Sequence, residues 1–485
     1  MTRRIVVVGN GMAGARVVDD LLRRDPTLAV TVLGEEEQPA YNRILLSDVL
    51  AGKRRHSDIV LRSAAGPVRH LGVRVERIDR GAQTVHGSDG SAFAYDALVL
   101  ATGSTAVVPP VHGIAGPSGR LLPGVHVFRT VEDCAAIARE ARKATRAVVV
   151  GGGLLGLEAA RGLLEHGLSV DVVHGPDRLM DLQLDAVGGA VLRRAVEALG
   201  VGVHLGSFAS AVLGTRCVTG IGLADGRTVD GDLVVLACGV RPQVALARDA
   251  GLEVDRGVLV DDELRTSDPH VHAIGECAQH RGTVYGLVAP AWEQAAVLAD
   301  VITGGQARYT GSRTTTRLKA MGLDVAAMGD TAPDLADCED GLEVLQWADP
   351  ARHVYKKLVV RDGVVTGAIL LGDLSTVGPV TQAFDRATPL PADRMHLLFT
   401  GLGATVAPDP EDLDDGAVVC TCNAVTAGAL RACAEGGCRT VADAADATRA
   451  TTGCGTCSPV VAALLASRQP VSDPAPAPVP LRSTA

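Results

Sequence analysis

Four cysteines late in the chain stand in a pattern suited to thiolate chemistry. Cys420 and Cys422 form a C-x-C in "VVCTCNAV", and Cys454 and Cys457 form a C-x-x-C in "TTGCGTC", with residues 423–453 between the pairs. Four thiolates suit a [2Fe–2S] cluster, and they also suit structural Zn²⁺. Of the 11 cysteines, Cys433 and Cys438 lie between the pairs but off that spacing, and read as ordinary small hydrophobes. Cys134, Cys217, Cys238, Cys277 and Cys338 are isolated and read as buried, inert thiols, with Cys277 worth attention because of its neighbours. Eleven cysteines in a long intracellular chain favour metal or redox roles over structural disulfides.

A second kind of chemistry lies in two glycine clusters. Gly9-x-Gly11-x-x-Gly14 follows the apolar run Ile5 to Val8 and precedes a helical pattern. The first glycine makes the tight turn, the second admits a pyrophosphate to the backbone, and the third lets helix pack on strand. An acid at the end of the next strand would hold a ribose hydroxyl, and Glu35 or Glu36 is there. Gly151-x-Gly153-x-x-Gly156 repeats the arrangement, with Glu158 two residues on. Its strand end carries His174 in place of the acid that selects NADH. When neutral, His174 can accept from a ribose hydroxyl, and when charged it can pair with a 2′-phosphate. The choice between NADH and NADPH therefore stays open.

These clusters need parallel strands behind them. Residues 4–37 and 146–173 each read as strand, glycine turn, helix, strand, an internal duplication of a dinucleotide fold. "YDALVLATGS" (95–104) and "GDLVVLACGVRP" (231–242) read as buried strands ending in glycine turns, and "DPHVHAIGECA" precedes an Ala-rich helix. The expected class is α/β, with two Rossmann-like dinucleotide folds, an added α+β module and a small C-terminal segment that bears the four cysteines. The first dinucleotide fold is expected over 1–115 and, discontinuously, 245–312, with the second over 116–244. An α+β module follows over 313–402, where "RDGVV" marks a hairpin. Residues 403–416 read as an acidic linker, 417–466 as the cluster domain and 467–485 as a Pro/Ala-rich disordered tail.

With 485 residues, several cores are needed. The 47% hydrophobic share is ordinary, but only 2% is aromatic, so Val, Leu, Ile and Ala must build those cores. A net charge of -10 and the lack of a Lys/Arg stripe argue against a nucleic-acid partner. "MTRRIVVVGNG" is too short in apolar length for a signal peptide, and no run approaches a membrane span. A soluble cytoplasmic protein is expected.

Two dinucleotide folds with "LVLATG" between them and "AIGE" after them resemble the two-dinucleotide-binding-domain flavoprotein reductases. "EEEQPAYNRILLSDVLAG", "GGGLLGLEAARGL", "LMDLQLD" and "IGECAQHRGTVYGLVAP" narrow the resemblance. They look like the NAD(P)H reductase portion of assimilatory nitrite reductase large subunits. They look equally like the electron-transfer subunit of assimilatory nitrate reductases. "TTGCGTC" before an Ala/Leu helix resembles the bacterioferritin-associated-ferredoxin type of [2Fe–2S] domain.

The resemblance implies that the first fold binds FAD and the second NAD(P)H. It places Thr102 and Gly103 near the FAD, Glu276 after Gly275 on its ribityl chain, and Arg43 by its pyrophosphate. The turn before "APAWEQA" would bring amides to the flavin ring, with Trp292 and Glu293 close by. The nicotinamide would lie near Glu158 and the turn at Gly239. The family more often has Asp where Glu276 stands. Thiol–disulfide work at the flavin is not expected, since "YNRILLSDVL" holds no cysteine, and Asp48 replaces the Lys of ferredoxin-type reductases.

The expected activity is electron transfer from NAD(P)H through FAD and a [2Fe–2S] cluster, with no general acid/base dyad evident. No cysteine follows Cys457, so nitrite reduction within this chain is not expected. The acceptor is then a separate assimilatory nitrate reductase, or second a sirohaem nitrite reductase. Alternatives are an NAD(P)H oxidase, a ferredoxin-type reductase with the cluster as relay, and a redox-sensing flavoprotein. The sequence leaves the 313–402 module between a homodimer interface and a docking surface.

Overall fold

The computed structural model describes residues 2–61, 66–116, 119–320, 323–339, 341–390, 392–399, 412–420, 423, 425–452 and 457–466. The chain divides into two compact units, Met1–Ala404 and Thr405–Ala485. Among the described residues no helix is long and apolar enough to cross a membrane.

The run Ile5–Val8 is β-branched and buried at every position, as a strand covered on both faces requires. It sits at the centre of a five-stranded parallel sheet. The spatial order is Val271–Ala273, Ala97–Leu100, Arg4–Val8, Ala29–Gly34, Val68–Leu71. The first of these strands comes from after the second fold, so the chain leaves this sheet and returns to it. On one face helix Met12–Arg24 sets Val17, Val18 and Leu21 against Leu298, Ala299 and Ile302 of helix Val288–Ile302. Each such fully buried Val, Leu or Ile contributes about 1.5–3 kcal/mol.

A second parallel sheet repeats the order with Val125–Val127, Leu233–Leu236, Arg146–Val150, Ser169–His174 and Gly202–Leu205. Helix Leu154–Glu165 packs Leu157, Ala160 and Leu163 into its core. The third element of this unit is a five-stranded antiparallel sheet. Its order is Thr315–Ala320, Leu323–Gly329, Val364–Leu371, Val354–Arg361, Leu342–Asp349. The hairpin at "RDGVV" turns on Asp362 and Gly363, both with positive φ (49° and 77°), the type I′ geometry that matches strand twist. Val380 and Phe384 of helix Val377–Arg386 cover this sheet.

The second unit pairs Val418–Cys420 with Val425–Thr426 and adds helices Ala427–Glu435, Val441–Thr448 and Ser458–Ala466. Thr426 and Thr440 accept the N–H groups of Ala429 and Asp443, capping two of the helices. Cys433 and Cys438 are not free hydrophobes here, as their spacing suggested: they form a disulfide, with Cα atoms 5.4 Å apart. The helix ends at Gly436, and the left-handed Gly437 turns the chain so that Cys438 N–H donates to Cys433 C=O at 3.0 Å. Most of the expected linker, the expected tail, Cys422 and Cys454 lie outside the described residues.

Candidate functional site

Both glycine clusters take one geometry. Gly9 has φ +113°, and a Cβ there would stand 2.1 Å from Ala101 O. A Cβ on Gly14 would stand 2.0 Å from Gly9 O, so helix and strand touch backbone to backbone. Gly11, between them, faces nothing within 4 Å. The second cluster repeats this. Gly151 would meet Ala237 O at 2.2 Å, Gly156 would meet Gly151 O at 1.9 Å, and Gly153 is open. The outer glycines are thus required by packing, and each central one opens a cradle at a helix N-terminus with no side-chain cap. That is what a pyrophosphate needs. Asn10 adds a buried side-chain amide whose Nδ2 and Oδ1 have no hydrogen-bond partner among the described residues. Such an orphan fits a site completed by a polar ligand.

Around the first cradle several expected residues pair with one another. Arg43 pairs with Glu36, whose Oε2 accepts from Tyr41 OH at 2.6 Å, while Glu35 is exposed. Arg43 also lies over the Tyr41 ring and donates to Arg129 C=O at 3.2 Å. Glu276, on the turn Gly275–Cys277, pairs with Arg129 and accepts from Ser104 Oγ at 2.5 Å. Sequence reading missed Arg129 and Ser104. Arg129 is hidden in "FRTVED", which reads only as a helix start. Gly275 N–H donates to the buried Gln294 Oε1 at 2.7 Å. Cys277 is buried, and burial pushes its thiol up; its sulfur reaches Ile274 C=O at 3.3 Å. It has the surroundings of an inert thiol. Trp292 is buried with Arg16 over its ring and its Nε1 unpartnered among the described residues. Its neighbour Glu293 accepts from Ser312, and burial raises its carboxyl.

The two folds meet at their glycine turns. Strand Val240–Pro242 pairs antiparallel with Ser104–Ala106. Val107 N–H donates to Gly239 C=O and Gln243 N–H to Gly103 C=O, both at 2.9 Å. Thr102 Oγ1 donates to Gln243 C=O at 3.0 Å. The segment after each buried strand is thereby fixed against the other.

At the second cradle His174 is fully engaged. Gly152 N–H donates to its Nδ1 at 3.0 Å, and its Nε2 stands 3.0 Å from Asp181 Oδ1. Both ring nitrogens of His174 are thus engaged within the second fold. Glu158 lies on helix Leu154–Glu165 beside Ser47 and Asp48. Burial pushes its carboxyl up to about 7, against a hydrogen bond from Ser47, and the Asp48 charge adds to the rise.

In the second unit Cys420 and Cys457 are buried in one core. A hydrogen bond with Cys457 holds the Cys420 thiol down to about 6 despite burial. Asn423 Nδ2 also stands 3.7 Å from Cys420 Sγ. Thiolate-favouring surroundings suit ligation of iron.

Residues 3–295 match the family described as "Pyridine nucleotide-disulphide oxidoreductase". Residues 315–388 match "Rubredoxin NAD+ reductase C-terminal domain" and residues 418–467 "BFD-like [2Fe-2S] binding domain". The chain is 35% identical over 472 residues to the nitrite reductase [NAD(P)H] of Bacillus subtilis, covering 96% of this chain and 57% of that one. It is 35% identical over 471 residues to the assimilatory nitrate reductase electron transfer subunit of the same species, covering 96% and 59%. It therefore spans little more than half the length of these relatives. Among solved structures, the covalent putidaredoxin reductase–putidaredoxin complex shares the fold. Its TM-score is 0.73 at 24% identity, over 82% of this chain and 98% of that one.

Proposed function

Because the chain belongs to the pyridine nucleotide-disulphide oxidoreductase family, we propose that it is the reductase component of a nitrate- or nitrite-assimilating system. In this reading it takes electrons from NAD(P)H and passes them through FAD and a [2Fe–2S] cluster to a separate terminal reductase. The double-fold oxidoreductase architecture and the cluster-binding domain are carried by the family matches. The nitrogen-oxide context comes from the relatives' names.

One observation supports the reading most. A single chain holds two open glycine cradles, at Gly11 and Gly153, whose folds meet at Gly103 and Gly239, and also the buried cysteines Cys420 and Cys457 in one core. Bound FAD accepts two electrons as a hydride and releases them singly, which suits a one-electron cluster. The chain's residues do the positioning. The uncapped N-termini of the helices beginning at Met12 and Leu154 would hold the two pyrophosphates by their backbone N–H groups. Arg43 with Glu36, and Arg129 with Glu276, supply paired charged groups on the side where FAD would lie. Glu158, whose carboxyl burial raises to about 7, would exchange a proton near neutral pH where the nicotinamide and flavin would meet.

Anaerobic titration of the purified protein with NADH, and separately with NADPH, tests this if visible and low-temperature EPR spectra are recorded together. Flavin bleaching followed by a [2Fe–2S]⁺ signal is the expected outcome. Flavin reduction without an EPR signal, together with zinc in the metal analysis, would remove the relay and leave the cysteines structural.

A further inference from the structure

The second fold lacks an acid at the end of strand Ser169–His174, yet its loop supplies one. We propose that Asp181, held by His174, is the ribose-binding acid of this fold and makes the protein select NADH over its 2′-phosphorylated form. The inference deepens the reading above and rests on it, since it presumes that the second fold is the NAD(P)H site.

The geometry follows from Gly152, the middle residue of "GGG". Its N–H donates to His174 Nδ1, so that nitrogen carries no proton of its own, and Nε2–H donates to Asp181 Oδ1 at 3.0 Å. A Cβ at Gly152 would stand 2.9 Å from His174 Cγ, so the ring is seated directly on the fingerprint. The Gly152 C=O in turn accepts from Met180 N–H at 3.0 Å. Met180 is fully buried and takes a left-handed φ of 50°, which docks the "LMDLQLD" loop on the fingerprint. Both ring nitrogens are therefore engaged, and His174 has neither left to offer a ribose hydroxyl or a phosphate.

Asp181 keeps an oxygen to offer. Its side chain is 26% exposed, and Oδ2 takes no donor among the described residues. A carboxylate there accepts from a ribose 2′-hydroxyl and repels a 2′-phosphate. Arg178 is the loop's cation, and its guanidinium is already committed. It donates to Leu184 C=O at 2.9 Å, to Asp181 C=O at 3.4 Å and to Asp177 Oδ1 at 2.8 Å. The loop thus presents an acid, while its arginine is tied to the loop's own groups.

Isothermal titration of the FAD-loaded full chain with ADP-ribose and with 2′-phospho-ADP-ribose tests the assignment without turnover. Wild type is expected to bind ADP-ribose at least about ten-fold more tightly, the scale of one hydrogen bond to a charged group. Asp181→Asn keeps the contact with His174 but removes the charge, and is expected to narrow the ratio to within about three-fold, chiefly by tighter binding of the phosphorylated ligand. Equal or tighter binding of 2′-phospho-ADP-ribose by wild type would overturn the proposal, as would an unchanged ratio in Asp181→Asn. If neither ligand binds, the nucleotide reading of the second fold fails first, and this inference falls with it.

Discussion

Lys357 Nζ lies 2.6 Å from Asp185 Oδ2, with the lysine side chain fully buried and the aspartate nearly so. The lysine is on the antiparallel sheet and the aspartate is the N-cap of helix Ala186–Glu197, where its Oδ1 accepts Gly188 N–H at 2.8 Å. Tyr355 OH donates to the same carboxylate at 2.5 Å. The third sheet thus pins the end of the 179–185 loop, and Thr331 Oγ1 holds Gln183 C=O beside it. Removing one member of a buried pair strands the other charge, at a cost of about 3–5 kcal/mol. Lys357→Met should lose stability on that scale in urea unfolding followed by circular dichroism, and Asp185→Leu/Lys357→Met should regain part of it. A single variant within experimental error of wild type would show that the pair does not hold the loop.

The glycines separate packing from binding. Ala at Gly14 or Gly156 would force a Cβ to within about the 2 Å already measured to the Gly9 or Gly151 carbonyl, so both variants should fold poorly or not at all. Gly11→Ala and Gly153→Ala meet open space and should keep the thermal stability of the ligand-free protein. Gly11→Ala is expected to lose FAD on gel filtration, and Gly153→Ala to keep FAD while binding pyridine nucleotide at least about ten-fold more weakly. Normal FAD retention by Gly11→Ala would move the flavin away from the first cradle.

Much of this was legible in the sequence because continuous β-branched runs and G-x-G-x-x-G spacing report backbone requirements that few other structures impose. Ile5–Val8 and Ala147–Val150 are buried strands for the reason their composition suggests. Three things were not legible. Asp181 supports His174 from a loop whose docking depends on the left-handed Met180, and no local pattern announces that. Arg129 meets Glu276 across 147 positions, a separation that periodicity does not span. Cys433 and Cys438 become partners only through the turn at Gly437. In each case the deciding fact is a tertiary approach, not a residue type.

Glu158 gives a pH dependence with a definite sign. Its carboxyl rises from 4.5 to about 7 in the fold because burial penalises the charge. A raised carboxyl contributes stability in full below the unfolded value, and that contribution is lost as pH rises through the folded one. Glu158→Gln, which cannot ionise, should therefore gain on wild type between pH about 5 and pH about 8. Melting temperatures of both proteins across that range, with and without FAD, would check it. A constant gap would mean that Glu158 is solvated as an ordinary carboxylate.

The disulfide and the ligand cysteines should respond oppositely to substitution. Cys420 and Cys457 share a buried core in which Asn423 and the neighbouring thiol favour thiolate, so serine at either should abolish cluster absorbance and drop iron from about two atoms per chain toward none. Serine lacks the soft donor that holds iron, and the two sequence-assigned partners, Cys422 and Cys454, should behave alike. Cys433→Ser only frees Cys438, which is bonded to it at the turn after helix Ala427–Glu435. It should keep the iron content and the EPR signal while lowering the melting temperature of the cluster domain. Loss of the EPR signal in Cys433→Ser, with iron still bound, would instead place that disulfide in control of the cluster's electronic state.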